Sequence, residues 1–348
     1  MLNQYGKNAS ALLLQKKSFF EENKMHVEKQ RKIAQLYTAQ PERKTCKNCD
    51  SLLDVQIDFT KDSIPYKACR TCSHLNGAHE DTTEFCQTVY AVDDEDYAQN
   101  YTPADRNEYE YRTASIYLPK AEFLFTALKS SGVDPHKNAY FDYGAGSGYF
   151  VAALLKLGLN NVSGSDVSKS QVDMANRLFP SPRLTCHDIN DNHESLATTK
   201  SQVVSMIGVL EHLQSPRKAL QRLNENPHVE YIFISVPTFS LSVYLEMLDD
   251  NVFHRQLHGG HTHLYTEDSL SYMCSEFNFE VIGQWWFGTD LVDLYRQLHI
   301  NLETNNVSSY IKKDFNKRFL TFLDSAQLEL DKQKESSEVH MLLRKKNA

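Results

Sequence analysis

Phe141-Asp142-Tyr143-Gly144-Ala145-Gly146-Ser147-Gly148 is the stretch on which the reading of this chain turns. The apolar run Ala139–Tyr143 reads as a short strand, and Ser147–Leu157 reads as a helix. A strand, then Asp-x-Gly-x-Gly-x-Gly, then a helix, is a nucleotide-binding layout. Glycines let the backbone turn tightly and let a ligand approach with no Cβ in the way. The spacing is GxGxG. The GxGxxG form seats a pyrophosphate on the helix N-terminus. The pattern here suits a nucleoside-like ligand without phosphate.

Working outward, strand and helix patterns alternate. Strands are predicted over Asn161–Asp166, Arg183–Asp188, Gln202–Gly208 and Glu230–Val236. Between them, Ser168–Phe179 reads as a helix with Ser168 as N-cap and Gln171 at the capping-box position, and another helix starts near Pro216. Alternation of this kind implies a parallel sheet covered on both faces. Thr266–Phe277 reads as a helix, Phe279–Phe287 as a strand and Glu338–Lys346 as the last strand. Residues 290–335 hold no Pro or Gly and read as a helical insertion before it. An acid ends each of the second and third strands. Asp166 can accept hydrogen bonds from ribose hydroxyls. Asp188 can accept from an adenine amino group, with Ile189 against the ring.

The ordered set Asp142-x-Gly-x-Gly-x-Gly, Asp166, Asp188 and Val209-Leu210-Glu211-His212-Leu213 resembles the class I S-adenosylmethionine (SAM) dependent methyltransferases over roughly residues 110–290 plus the final strand. One glycine turn alone is weak; four cues in order, each at a strand end, are specific. The resemblance implies an α/β, Rossmann-like, seven-stranded sheet whose last strand is antiparallel, with SAM across the strand C-terminal ends. Candidate SAM contacts are Asp142, Gly144, Gly146, Gly148, Asp166, Val167, Asp188, Ile189 and Ile207, with Asp142 serving the ammonium group. The tyrosine-rich segment 97–117 commonly closes over SAM in this fold. Tyr109, Tyr111 and Arg112 are candidates there, set against plain packing. The chain looks closest to methyltransferases of sugar and surface-polysaccharide biosynthesis, a group that includes NDP-sugar C-methyltransferases with a zinc module ahead of the SAM domain.

Cys46-x2-Cys49 and Cys69-x2-Cys72 lie nineteen residues apart. Two such knuckles can place four thiolates tetrahedrally around one Zn²⁺, and an all-cysteine site has no open position, so the metal is expected to be structural. His74 is a reserve ligand; Cys86, Cys186 and Cys274 read as buried small hydrophobes. The expected organisation is a helical segment 1–44, with its helix over residues 9–38, a zinc-binding module 45–95, and a methyltransferase domain 96–348 carrying the 290–335 insertion.

The net charge of -8 argues against a general nucleic-acid binder. Residues 1–49 carry ten Lys/Arg and four Asp/Glu, whereas 50–110 carry four and fourteen, so the cysteine module sits in an acidic stretch that suits RNA poorly. Charges interrupt every apolar run well before the roughly 20 residues a spanning helix needs, and the start opens no signal-peptide pattern, so the expected compartment is the cytoplasm.

Methyl transfer from a sulfonium is an in-line displacement, so a nucleophile must be aligned and a proton removed. His212, with Glu211 as its orienter, is one candidate base; helix-start packing is the plain alternative. In the sugar C-methyltransferases the matching pair is linked to that role. In quinone O-methyltransferases the dipeptide joins a further acid at a metal, but Gly208 stands at one such position here. The run His258-Gly259-Gly260-His261-Thr262-His263-Leu264-Tyr265 adds His261 and His263 as proton carriers near neutral pH, or as loop anchors. The expected substrate is a small molecule or glycan, such as a nucleotide sugar. An RNA or protein methyltransferase and a non-catalytic SAM-binding scaffold are the alternatives.

Overall fold

The computed structural model describes residues 1–9, 13, 22–91, 105–191, 193–257 and 260–346. Twelve strands are found among them: β1 Leu2–Tyr5, β2 Phe59–Lys61, β3 Ile64–Ala68, β4 Leu75–Gly77, β5 Tyr140–Tyr143, β6 Val162–Asp166, β7 Leu184–Cys186, β8 Val203–Ile207, β9 Tyr231–Pro237, β10 His263–Leu264, β11 Phe279–Phe287 and β12 Glu338–Lys345.

Eight of these form one sheet in the order β1-β11-β12-β9-β8-β5-β6-β7. β5 pairs in parallel with both β6 and β8, so the chain leaves it in both directions. That switch point opens a crevice at the strand C-terminal ends. β12 is antiparallel to both β9 and β11, as the resemblance implies. The sheet has eight strands where seven were expected. The extra one is β1, paired in parallel with β11 from Leu2↔Gly283 to Tyr5↔Trp286. Leu-Asn-Gln-Tyr has no strand periodicity of its own; the open edge of β11 supplies its pairing.

The strands are apolar on both faces because helices cover both. Along β9, Phe233 joins one core with Phe123, Phe150, Trp285 and Leu342. Its neighbours Ile232 and Ile234 join the other with Leu220, Trp286, Met341 and Leu343. The segment between β11 and β12 folds as three helices, Asp290–Thr304, Ser309–Leu320 and Leu323–Lys332. The predicted N-terminal helix is present over Asn23–Thr38; the rest of its expected span lies largely outside the described residues.

The remaining strands form a small sheet, β10-β4-β3-β2. β2 and β3 lie between the two cysteine pairs in sequence, and β4 follows the second. β10 comes from the histidine-rich segment after β9 and pairs antiparallel with β4. A third core mixes Ala34 and Tyr37 of the first helix, Ile64, Tyr66 and Leu75 of the small sheet, and Val243, Leu257 and Leu264. No helix is long and apolar enough to cross a membrane among the described residues.

Candidate active site

A cavity of about 1190 Å³ runs along the C-terminal edge of the large sheet. Its walls bring together Asp142, Gly144, Gly146, Asp166, Val167, Ile189, Ile207, Glu211, His212 and His261 of the predicted residues.

The glycine turn forms one end. Gly144 and Gly146 have φ of +71° and +51°, a left-handed backbone that side chains resist. A Cβ on Gly144 would lie 2.5 Å from Val209 Cγ2. Gly148, also left-handed at φ +73°, ends the turn as N-cap of the helix Tyr149–Lys156. A Cβ there would meet the Phe179 ring, so its role is packing and it does not line the cavity. The Asp166 carboxylate accepts from Gly146 N (2.7 Å) and Ser168 N (2.9 Å), tying β6 to the turn. Burial raises its carboxyl against those amide bonds. Asp142 is buried and accepts from Ser205 Oγ at 2.6 Å. Burial pushes its carboxyl up to about 7; the Ser205 bond opposes this and Asp166 adds to it.

Three predicted contacts fall elsewhere. Asp188 is exposed and accepts from Asn190 N and Nδ2, because the turn after β7 points it outward; His187, Ile189, Asn190 and His193 line the wall instead. Tyr109 is buried against Tyr149, ring centroids 4.6 Å apart, while Arg112 and Tyr111 reach the cavity. Tyr97 and Tyr101 lie outside the described residues. His263 is buried behind the wall, its Nδ1 2.8 Å from His74 Nε2, and burial holds its imidazole well below the ordinary range. It anchors the loop.

Glu211, His212 and His261 converge, with one ligand atom from each within 4.8 Å of the others. His212 Nδ1 donates to Gly260 O at 2.9 Å and His261 Nδ1 donates to Gln256 O at 3.1 Å. Both bonds select the tautomer with its lone pair on Nε2. The orienter of His212 is thus the Gly260 carbonyl, where the sequence pointed to Glu211. Burial lowers His212 to about 4, the Gly260 bond opposing. Burial raises Glu211 to about 8, its own backbone amide opposing and Glu338 adding, and its Oε2 is buried without a hydrogen bond.

A family model described as a methyltransferase domain matches residues 110–284, half of the chain, and spans the glycine turn through β11. The chain belongs to this methyltransferase family. Among solved structures it is similar to the plantazolicin methyltransferase in complex with S-adenosylhomocysteine (SAH) (14% identity, TM-score 0.42, 71% of this chain and 93% of that one). It is similar to a SAM-dependent methyltransferase from Archaeoglobus fulgidus (16%, 0.38, 69% and 100%). Magnesium protoporphyrin IX methyltransferase from Synechocystis PCC 6803 with bound SAH is another (17%, 0.38, 52% and 80%). No curated protein matches.

The methyltransferase carries its four cysteines as a buried cluster. Cys46 and Cys72 Sγ are 3.7 Å apart, and Cys49 and Cys69 Sγ 3.5 Å. Four sulfurs at Zn–S of ~2.3 Å would sit ~3.8 Å apart on a tetrahedron. The cluster therefore fits Zn²⁺. Asn48 Nδ2 and Asn76 Nδ2 donate to Cys72 and Cys46 Sγ, each at 3.5 Å, as outer-shell groups around thiolates do. His74, the reserve ligand, is spent on His263.

No local pattern marks the rest of the wall. Lys7, Lys120, Arg255 and Glu338 line the cavity beyond Glu211. Each is an ordinary residue whose place is known only when distant strands meet.

Proposed function

We propose that this methyltransferase transfers the methyl group of SAM to a small-molecule or glycan acceptor, a nucleotide-linked sugar or surface-polysaccharide precursor, and holds a structural Zn²⁺ on Cys46, Cys49, Cys69 and Cys72. The observation that carries the reading is one cavity with the glycine cradle at one end and the Glu211-His212-His261 cluster beside it. SAM would supply the electrophilic methyl group. Gly144 and Gly146 keep the approach open, Asp166 faces the ribose hydroxyls, Asp142 answers the ammonium group, and Arg112 is placed for the carboxylate. His212 or His261, each with its Nε2 lone pair fixed by a backbone carbonyl, takes the proton from the acceptor. A positioned base of this kind contributes roughly 10²–10⁴ in rate.

The test is SAM turnover against a panel of nucleotide sugars, comparing the wild type with His212→Ala and His261→Ala. Loss of turnover by about that factor, with SAH affinity kept, supports the assignment. Normal methylation by both variants would remove the base role. Methylation of RNA or protein and none of sugars would shift the acceptor class, and SAH binding with no turnover on any acceptor would leave a scaffold.

A second reading rests on the same convergence. Two imidazoles held by carbonyls and one buried carboxylate form a set that takes a divalent cation. In that case turnover would rise severalfold on adding Mg²⁺ or Mn²⁺, and that response would vanish in Glu211→Gln.

A further inference from the structure

The eighth strand has a consequence for the acceptor. β1 runs parallel to β11, so its C-terminal end reaches the edge where the cavity lies. Gly6, at φ +80°, turns the chain there: its N donates to Trp286 O at 3.0 Å and its O accepts from Trp285 Nε1 at 2.9 Å. Lys7 is thereby delivered into the cavity, its ammonium 5.3 Å from the Phe287 ring centroid. Two further cations line the same region. Lys120 comes from the helix Leu118–Ser130, and Arg255 from the segment after β9.

The acids nearby do not balance them. Glu338 starts β12, opposite Pro237, and accepts from Lys120 Nζ (3.2 Å) and Ser235 Oγ (3.1 Å). Burial acts to raise its carboxyl, but Lys120, His340 and Lys7 outweigh it and hold it well below the ordinary range, so it is ionised. Glu211 belongs to the cluster with His212 and His261. Lys7, Lys120 and Arg255 thus stand around the one carboxylate of Glu338. Among the described residues neither Lys7 nor Arg255 has an ion pair or hydrogen bond. Burial lowers Lys7 to about 8; Lys120 and Arg255 add like-charge repulsion and Glu338 opposes them. Cations withdrawn from water with fewer anions than their number are costly, and a protein keeps such an arrangement where a ligand completes it.

We propose that Lys7, Lys120 and Arg255 form an anion subsite at the acceptor end of the cavity, and that the acceptor carries a phosphoryl group of about two negative charges there. The choice of phosphoryl over a single carboxylate follows from three cations gathered around the single Glu338 carboxylate and from the pairing of a guanidinium fork with two ammonium groups, a set suited to several oxygens around one or two phosphorus atoms. Arg112 lies on the glycine-turn side, against the Tyr149 ring at 5.1 Å, and is a separate partner for the SAM carboxylate. The subsite rests on the methyltransferase reading only in calling its ligand the acceptor; the anion site itself stands on the charges.

The experiment is calorimetric titration of the SAH-loaded full chain with inorganic pyrophosphate, and separately with malonate, in wild type, Lys7→Met and Arg255→Met. Expected is pyrophosphate binding that each substitution weakens at least tenfold, malonate binding weaker than pyrophosphate, and SAH affinity within twofold of wild type in both variants. Pyrophosphate binding untouched by both substitutions, or absent while SAH binds, overturns the proposal. Malonate binding tighter than pyrophosphate overturns the phosphoryl assignment. Failure of the wild type to bind SAH counts against the SAM reading instead, and the response of pyrophosphate binding to Lys7→Met still decides the subsite.

Discussion

A carboxyl held near pH 7 by burial should release its proton when a cation arrives beside it. Asp142 is that carboxyl: buried, held by one hydrogen bond from Ser205, and raised from an ordinary 3.8 to about 7. Each pH unit is worth about 1.4 kcal/mol, so ionising Asp142 in the empty cavity costs on the order of 4 kcal/mol relative to water. The sign follows from linkage. The folded protein holds this proton more tightly than the unfolded chain, so stability falls as pH rises from about 3.8 through about 7 and is level beyond. An ammonium group bound beside Asp142 reverses the preference and expels the proton. At pH 6 about nine-tenths of Asp142 is protonated if its value is about 7, so SAM binding should release close to one proton, and close to none above pH 8. Isothermal titration in two buffers of different ionisation enthalpy counts that proton directly. SAM affinity should rise up to about tenfold per pH unit below 7 and flatten above it. Asp142→Asn should abolish both the proton release and the pH dependence. Binding at pH 6 with no proton released, or an unchanged pH profile in Asp142→Asn, would refute the placement of the ammonium group at this carboxyl.

Gly144→Ala should cost about 1–3 kcal/mol in backbone strain alone, because its φ is +71°, and its Cβ would meet Val209 at 2.5 Å. Differential scanning fluorimetry should show a melting temperature lower by several degrees and no upward shift with SAH; a full SAH shift would contradict the cradle. Glu246 is buried and accepts from Gln256 N (2.7 Å) and Leu257 N (2.9 Å), yet burial raises it to about 8. Stability should therefore fall by up to about 1.4 kcal/mol per pH unit between about 4.5 and 8 on its account. Urea unfolding of Glu246→Gln at pH 6 and pH 8.5 should show a smaller difference than wild type, and an equal difference would count against the shift. Cys46→Ser should lose stoichiometric zinc by metal analysis and lower methyl transfer more than tenfold, while SAH affinity stays within twofold. Unchanged zinc content would refute the metal site, and a parallel loss of SAH affinity would refute the division of labour argued below.

The features legible in the sequence are those that act within one turn of chain. The glycine turn shows because three left-handed or crowded positions must be glycine whatever surrounds them. Asp142 and Asp166 show because a strand end fixes where a side chain emerges, and the cysteine pairs show because a metal dictates their spacing. Asp188 is the instructive miss. It was expected to end the third strand, but β7 stops at Cys186, and its carboxylate caps its own turn through Asn190 and faces water. Tyr109 went the same way, into a stack on Tyr149. The acceptor end was invisible for a different reason. Lys7 and Glu338 come together because β1, β11 and β12 share a sheet, Lys120 and Arg255 join them from a helix and a loop, and no local pattern encodes a contact across hundreds of residues. β1 has no periodicity to betray it; an open edge recruited it.

The division of labour expected of Cys46→Ser comes from what the cysteine module holds. Lys47, next to Cys46, donates from Nζ to Leu213 O at 2.8 Å and lies 3.4 Å from Thr262 Oγ1. Leu213 follows His212, and Thr262 follows His261. Asn48, between the paired cysteines, donates to Ser269 O at 2.9 Å and accepts through its carbonyl from Arg217 at 2.6 Å. β4, just beyond Cys72, pairs with β10, and Gly77 N donates to Thr262 O at 2.7 Å. The residues beside the thiolates therefore grip the backbone beside both cavity histidines. Among the described residues they make no such contact with Gly144, Gly146, Asp142 or Asp166, which β5, β6 and β8 hold from the other side. A misplacement of about 1 Å at a reacting group can cost 10²-fold in rate with little effect on binding elsewhere. Losing the metal should thus blunt the proton-transfer end of the cavity and leave the cofactor end intact. A closed four-thiolate site, with no open position for a substrate, can in this way still set the rate of a reaction.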